Sequence, residues 1–145
     1  MGGDERFTGV ILEEAVAIHR QHGPGLLESV YEALLARALE QRGFRLRRQH
    51  CVRLKDGDLE FEAAFRADLI IDDAVIIEIR STTHSDPVHA RQLLTYLRLT
   101  GLQLGLVINF GQPTLRQGVK RMINTPNSIS SPRTSAPPRT PREHC

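Results

Sequence analysis

Three charged residues stand inside two apolar runs. In "RADLIIDDAVIIEIRS", residues 66–81, Asp68, Glu78 and Arg80 interrupt Leu69, Ile70, Ile71, Val75, Ile76, Ile77 and Ile79. Such runs read as two β-strands joined by a tight turn, and strand side chains alternate between faces. A two-residue turn at Asp72-Asp73 would scatter the charges over both faces. A three-residue turn, 72–74, pairs Ile71 with Val75, Asp68 with Glu78 and Arg66 with Arg80. It gathers Ala67, Leu69, Ile71, Val75, Ile77 and Ile79 on one apolar face and the four charges on the other. An unpaired buried charge costs on the order of several kcal/mol, which favours this second register. It needs a positive-φ residue near the end of the turn, a conformation Asp73 tolerates.

Two carboxylates facing each other repel, which raises one pKa unless a cation lies between them. Two readings follow. Either Arg66 and Arg80 neutralise the pair in an ion-pair ladder, or the carboxylates hold a hard divalent cation such as Mg²⁺.

The elements that must position these residues are legible around them. Residues 8–22 predict a helix with Val10, Ile11, Ala15 and Ile18 on one side. Gly23-Pro24-Gly25 breaks it, and a second helix follows over 27–42 with the stripe Leu27, Val30, Leu34, Leu35, Ala38 and Leu39, closed by Gly43. Residues 44–54 alternate as a strand, 55–58 are a turn, and 59–66 lead into the hairpin. Asp86 as N-cap and Pro87 at N1 open a third helix over 87–100, ending at Gly101. Residues 103–110 read as a buried strand, and 115–123 fit either a strand or a short helix. The order implies an α/β fold, a mixed β-sheet flanked by helices.

"GLLESVY" spells G-x-x-E-x-x-Y over Gly25–Tyr31. With "FRADLII", "VIIEIRS", "HARQLLTYL" and "GLVINFG" following in order, the chain resembles the GxxExxY family, which is assigned to the PD-(D/E)xK nuclease-like superfamily. The resemblance covers about residues 8–124. It implies a restriction-endonuclease-like core and a metal-dependent nuclease cleaving phosphodiester bonds of DNA or RNA. By that resemblance Asp68 and Glu78 match the ligands of Mg²⁺ or Mn²⁺ and Glu28 a supporting ligand. Tyr31, His89, Gln92 and Tyr96 would then line the substrate cleft. Position 80, where the superfamily carries Lys, is Arg. Arg80 supplies positive charge and can grip a phosphate bidentately, but it does not deprotonate and cannot act as a base. The alternative is therefore a noncatalytic nucleic-acid-binding or protein-interaction module on the same fold.

The 145 residues suit one domain over 1–124, with a disordered Pro/Ser/Arg-rich tail over 125–145 that holds five Pro. The three Arg and one Glu of that tail account for the net charge of +2, so the body is neutral and any basic face is local. Basic "RLRR", 45–48, is either a phosphate contact or a solvated strand face. There is no phosphate-binding glycine loop, no H-E-x-x-H and no apolar run near the ~20 residues of a membrane span. Cys51 and Cys145 make neither a disulfide framework nor a zinc site. With no leader pattern at the N-terminus, a cytoplasmic setting is expected.

Overall fold

The computed structural model describes residues 2–125, with side chains from residue 6 onward. Residues 126–145, and with them the disorder expected of the tail, Cys145 and its relation to Cys51, lie outside the described residues.

Helices α1 (Gly2–His22) and α2 (Glu28–Gln41) come first. Strands β1 (Leu46–Asp56), β2 (Leu59–Ile71) and β3 (Val75–Arg80) follow. Helix α3 (Pro87–Thr100), strand β4 (Leu104–Asn109), a 3₁₀ turn (Arg116–Gly118) and β5 (Val119–Ile123) complete the order. The ambiguous stretch 115–123 is thus a short helical turn and a strand in succession. The sheet runs β1-β2-β3-β4-β5, with β3 and β4 parallel and every other pair antiparallel. Helix α3 makes the crossover that a parallel pair requires.

The α/β fold expected from the element order is the one observed. Helices α1 and α2 cover one face of the sheet through Ile11, Ala15, Tyr31, Leu35 and Leu39, which pack on Leu69, Ile71, Ile77, Ile79, Leu106 and Ile108. Helix α3 covers the other face, where Leu93 and Leu97 meet Ala67, Ile70, Ile76 and Val107. Strands β3 and β4 are buried almost throughout because both faces are covered, and this is why they read as continuous apolar runs.

Helix α3 has the ends its sequence announces. Asp86 Oδ1 accepts the Val88 N–H at 3.0 Å, Pro87 follows, and Gly101 at φ 79° closes the helix with its N–H on Leu97 O at 2.9 Å. Helix α2 differs from expectation. Its buried residues are Tyr31, Glu32, Leu35, Ala36 and Leu39, whereas Leu27 is 73% exposed and Val30 38%. The expected stripe holds at Leu35 and Leu39 and fails at its start, where Leu27 and Val30 face outward and Tyr31 and Glu32 take the buried side.

The hairpin adopts the predicted register over three pairs, Leu69 opposite Ile77, Ile70 opposite Ile76 and Ile71 opposite Val75, but the ladder stops there and the expected pairs Asp68–Glu78 and Arg66–Arg80 are not part of it. Its turn uses two positive-φ residues, Asp72 (51°) and Asp73 (52°), and returns the Ala74 N–H to Ile71 O at 2.8 Å. The single apolar face expected for residues 67–79 requires correction at one position. Phe65 and Ala67 pack with the α3 cluster, while Leu69 and Ile71 pack with α1 and α2. The alternation of faces slips at Asp68. Across the ladder, Gln49 stands at φ 49° between the pairs Arg48–Leu69 and His50–Ala67. A left-handed residue in one strand twists both.

Beyond this slip, β1 and β2 pair only with each other and run on as a ribbon to the turn at 57–58. Residues 59–64 are exposed throughout. A register shift between Val52 and Leu54 bends the ribbon, and Phe65 ties its base to α3 by stacking on Tyr96 with ring centroids 3.6 Å apart.

Candidate functional site

The slip at Asp68 turns its carboxylate sideways. The β2–β3 ladder ends at Leu69–Ile77, and Asp68 Oδ2 takes the next available β3 donor, the Ile79 N–H, at 2.8 Å. Asp68 Oδ1 accepts from Gln49 Nε2 at 3.2 Å. Glu78 shares strand parity with Ile76 and so points to the α3 face, where it is 4% exposed. Its Oε2 is buried and has no hydrogen-bond partner among the described residues.

Arg80 lies between the two acids. Its Nη1 donates to the Ile79 carbonyl at 2.7 Å and stands 3.6 Å from Asp68 Oδ2 and 3.8 Å from Glu78 Oε1. Nε donates to His89 Nδ1 at 3.2 Å. Burial pushes the Glu78 carboxyl up to about 8, the charge of Asp68 adds to that rise, and Arg80 opposes it without cancelling it. At neutral pH Glu78 therefore holds its proton, and the guanidinium pairs chiefly with Asp68.

A second set of contacts braces the first. Gln49 Nε2 also donates to Glu32 Oε1 at 2.6 Å, and Glu32 Oε2 accepts from Arg48 Nε at 3.1 Å. A polar chain thus runs Asp68–Gln49–Glu32–Arg48 and ties α2 to the hairpin. Sequence reasoning missed Glu32 and Gln49. The available signal was a carboxylate one turn after Glu28, set between Tyr31 and Leu35 on what proves to be the buried side of α2.

The structure brings together Asp68, Glu78, Arg80 and His89. Tyr96 joins them from α3. It is partly buried, and its hydroxyl pKa is raised by burial first and by the charge of Glu78 second. Gln92 lies exposed one turn before Tyr96 on the same helix. Glu28 sits at the rim, exposed, with Oε2 accepting the Ser81 N–H at 3.3 Å, and no bond or ion pair joins it to either acid among the described residues. Tyr31 lies outside the cleft. It is fully buried and stacked on Phe110 at 4.3 Å. Its hydroxyl donates to Gly23 O and accepts from the Leu26 N–H, so it fastens the Gly23-Pro24-Gly25 turn to α2.

The residues can be tested against the expected metal. An all-oxygen donor set suits a hard divalent cation. Here, however, Asp68 Oδ2, Glu78 Oε1 and the Ile79 carbonyl already converge on Arg80 Nη1, and the expected third carboxylate, Glu28, stands apart. Among the described residues no group of three or more His, Cys, Asp or Glu side chains is placed to hold a metal ion. The arrangement does not fit a divalent ion, and the positive charge at this site is the guanidinium.

A five-stranded mixed sheet flanked by helices, with an Asp and a Glu from successive strands and a cation two residues later, defines a restriction-endonuclease-like α/β domain. A family model for the PD-(D/E)XK nuclease superfamily matches residues 5–122, and the chain belongs to that superfamily. No curated protein and no solved structure matches the chain. Among the described residues no helix is long and apolar enough to cross a membrane.

Proposed function

We propose that this chain is a nucleic-acid-binding member of the superfamily whose cleavage centre is held closed by Arg80. One observation carries the reading: a single guanidinium nitrogen lies within 4 Å of Ile79 O, Asp68 Oδ2 and Glu78 Oε1. Arg80 neutralises Asp68 without any added ion. It is always charged, so it can bind a phosphate but cannot take a proton from water. Tyr96 and Gln92 on α3, with Arg80 and His89, would form the contact surface for the strand. The narrower GxxExxY assignment belongs to this reading and rests on the sequence motifs.

A second reading, a weakened Mg²⁺- or Mn²⁺-dependent nuclease, is favoured by the unpartnered Oε2 of Glu78. In that reading Asp68 and Glu78 would hold the metal only in a state in which Arg80 no longer occupies the space between them, and the metal would supply a nucleophilic hydroxide and charge stabilisation.

The two are separated by titrating Mg²⁺ and Mn²⁺ into wild type, R80K and R80K/D68A with plasmid and single-stranded substrates. Wild type is expected to bind in a salt-sensitive manner without cutting, R80K to gain metal-dependent cleavage, and the double variant to lose it. Wild-type cleavage that D68A abolishes would overturn the closed centre in favour of the nuclease. Absence of any nucleic-acid binding would overturn both.

A further inference from the structure

Arg80 also lines a small pocket whose lining includes neither Asp68 nor Glu78. The pocket has a volume of about 30 Å³ and lies where the end of β3, the first turn of α3 and strands β4 and β5 meet. Its polar lining includes Arg80, His84, Asp86, His89, Asn109 and Lys120.

Hydrogen-bond capacity there is one-sided. Asp86 is the single carboxylate among the lining residues, and its Oδ1 is engaged by the Val88 N–H. The Asn109 side chain is committed to Thr82 and Gly111, its Oδ1 accepting the N–H of each at 2.9 Å and its Nδ2 donating to Thr82 Oγ1 at 3.2 Å. Arg80 uses Nε and Nη1 as described, while Nη2 has no partner among the described residues. Because His89 Nδ1 accepts from Arg80, the neutral ring carries its hydrogen on Nε2, which is then a donor. Lys120 and His84 are exposed and add donors from opposite sides. What remains available is mainly donors and positive charge, from Arg80, His84, His89 and Lys120, set against the second carboxylate oxygen of Asp86. The end of α3 contributes little directly: Pro87 has no N–H, and the N–H groups of Val88 and His89 are both taken by Asp86.

Size narrows the ligand. A volume of 30 Å³ has room for about two or three water-sized atoms, since one needs roughly 10–15 Å³. That admits two or three of the four oxygens of a tetrahedral oxyanion, and a base or ribose does not enter. Gly118, also in the lining, lies so close to the Asn109 backbone that a Cβ there would collide with the Asn109 carbonyl oxygen.

We propose that this pocket seats one phosphate group of a nucleic acid, with Arg80 linking it to the acid pair. The proposal rests on the nucleic-acid reading above. Arg80 then faces two ways, towards Asp68 through Nη1 and towards the phosphate through the side of the guanidinium that has no internal partner. A phosphate drawing on the guanidinium would weaken its hold on Asp68.

The test pairs fluorescence anisotropy, on a labelled single-stranded oligonucleotide with and without a 5′-phosphate, with ³¹P NMR of inorganic phosphate. Both are run on wild type, H84A/K120A and H84A/K120R. The side chains of His84 and Lys120 are exposed and make no hydrogen bond or ion pair among the described residues, while the backbone contacts of both residues survive substitution. H84A/K120A is expected to bind the oligonucleotide about tenfold more weakly and to lower the slope of log K against log salt by about 0.7 for the lost single-strand phosphate contact. H84A/K120R should recover most of the affinity. A loss confined to the 5′-phosphorylated strand assigns the pocket to a terminal phosphate, and an equal loss on both strands assigns it to an internal one; either supports the proposal. Wild-type affinity and slope in H84A/K120A overturn the pocket and leave the nucleic-acid reading standing. Inorganic phosphate perturbed by wild type but not by H84A/K120A, with no oligonucleotide bound, supports an oxyanion pocket and removes the nucleic-acid reading.

Discussion

Glu78 is the residue whose behaviour departs furthest from its type. Below its ordinary value of 4.5 the carboxyl is protonated in folded and unfolded chains alike, and its titration has no effect on stability. Between there and about 8 the folded chain keeps a proton that the unfolded chain releases. Each unit rise in pH across that window therefore weakens the fold, by up to about 1.4 kcal/mol. Above about 8 both states are ionised and the dependence levels off. E78Q removes the titration. In urea melts at pH 5, 6.5 and 8, wild type should lose stability relative to E78Q as pH rises; parallel profiles would mean that Glu78 is ionised in the fold. Glu78 and Arg80 were legible because alternation along β3 puts both on one face, and Asp68 because the turn length sets it beside them, although its sideways turn was not. Glu28 and Tyr31 were misplaced because their spacing shows that they share a helix face without showing which way that face looks.

Among the elements, α3 was readable to the residue, since Asp86, Pro87 and Gly101 act through local backbone chemistry. The stripe of α2 was not, because which turn overhangs the sheet depends on where distant strands end. The slip at Asp68 was equally hidden: it follows from one backbone angle at Gln49, a residue type that does not advertise positive φ. The ends of β3 and β4 are held by a different device. Asn109 joins Thr82 to Gly111 through its side chain, and Gly118 and Gly111 approach the backbones of Asn109 and Thr82 too closely for any Cβ. G118A should cost about 1–3 kcal/mol, the range for forcing atoms into a packed site, and lower the denaturant midpoint without changing the fold. An unchanged midpoint would mean that the 3₁₀ turn yields freely.

At the scale of the whole molecule, helix–helix–strands–helix–strand was enough to imply the mixed sheet, because a parallel β3–β4 pair needs a crossover and α3 is the only element between them. What the order could not convey is how unevenly the sheet is covered. The β1–β2 ribbon leaves both helical layers after the slip and is anchored at its base by the ring of Phe65 on Tyr96. Two strands alone are marginal in water. Within the described residues, a protease given native protein should nick first at the ribbon tip, around Gly57-Asp58, and the two fragments should stay associated and elute together. F65A should accelerate that first cut several-fold while scission elsewhere keeps its pace. The same ring reports to Tyr96 beside the acid pair, so bending of this antenna would be felt where the charges meet.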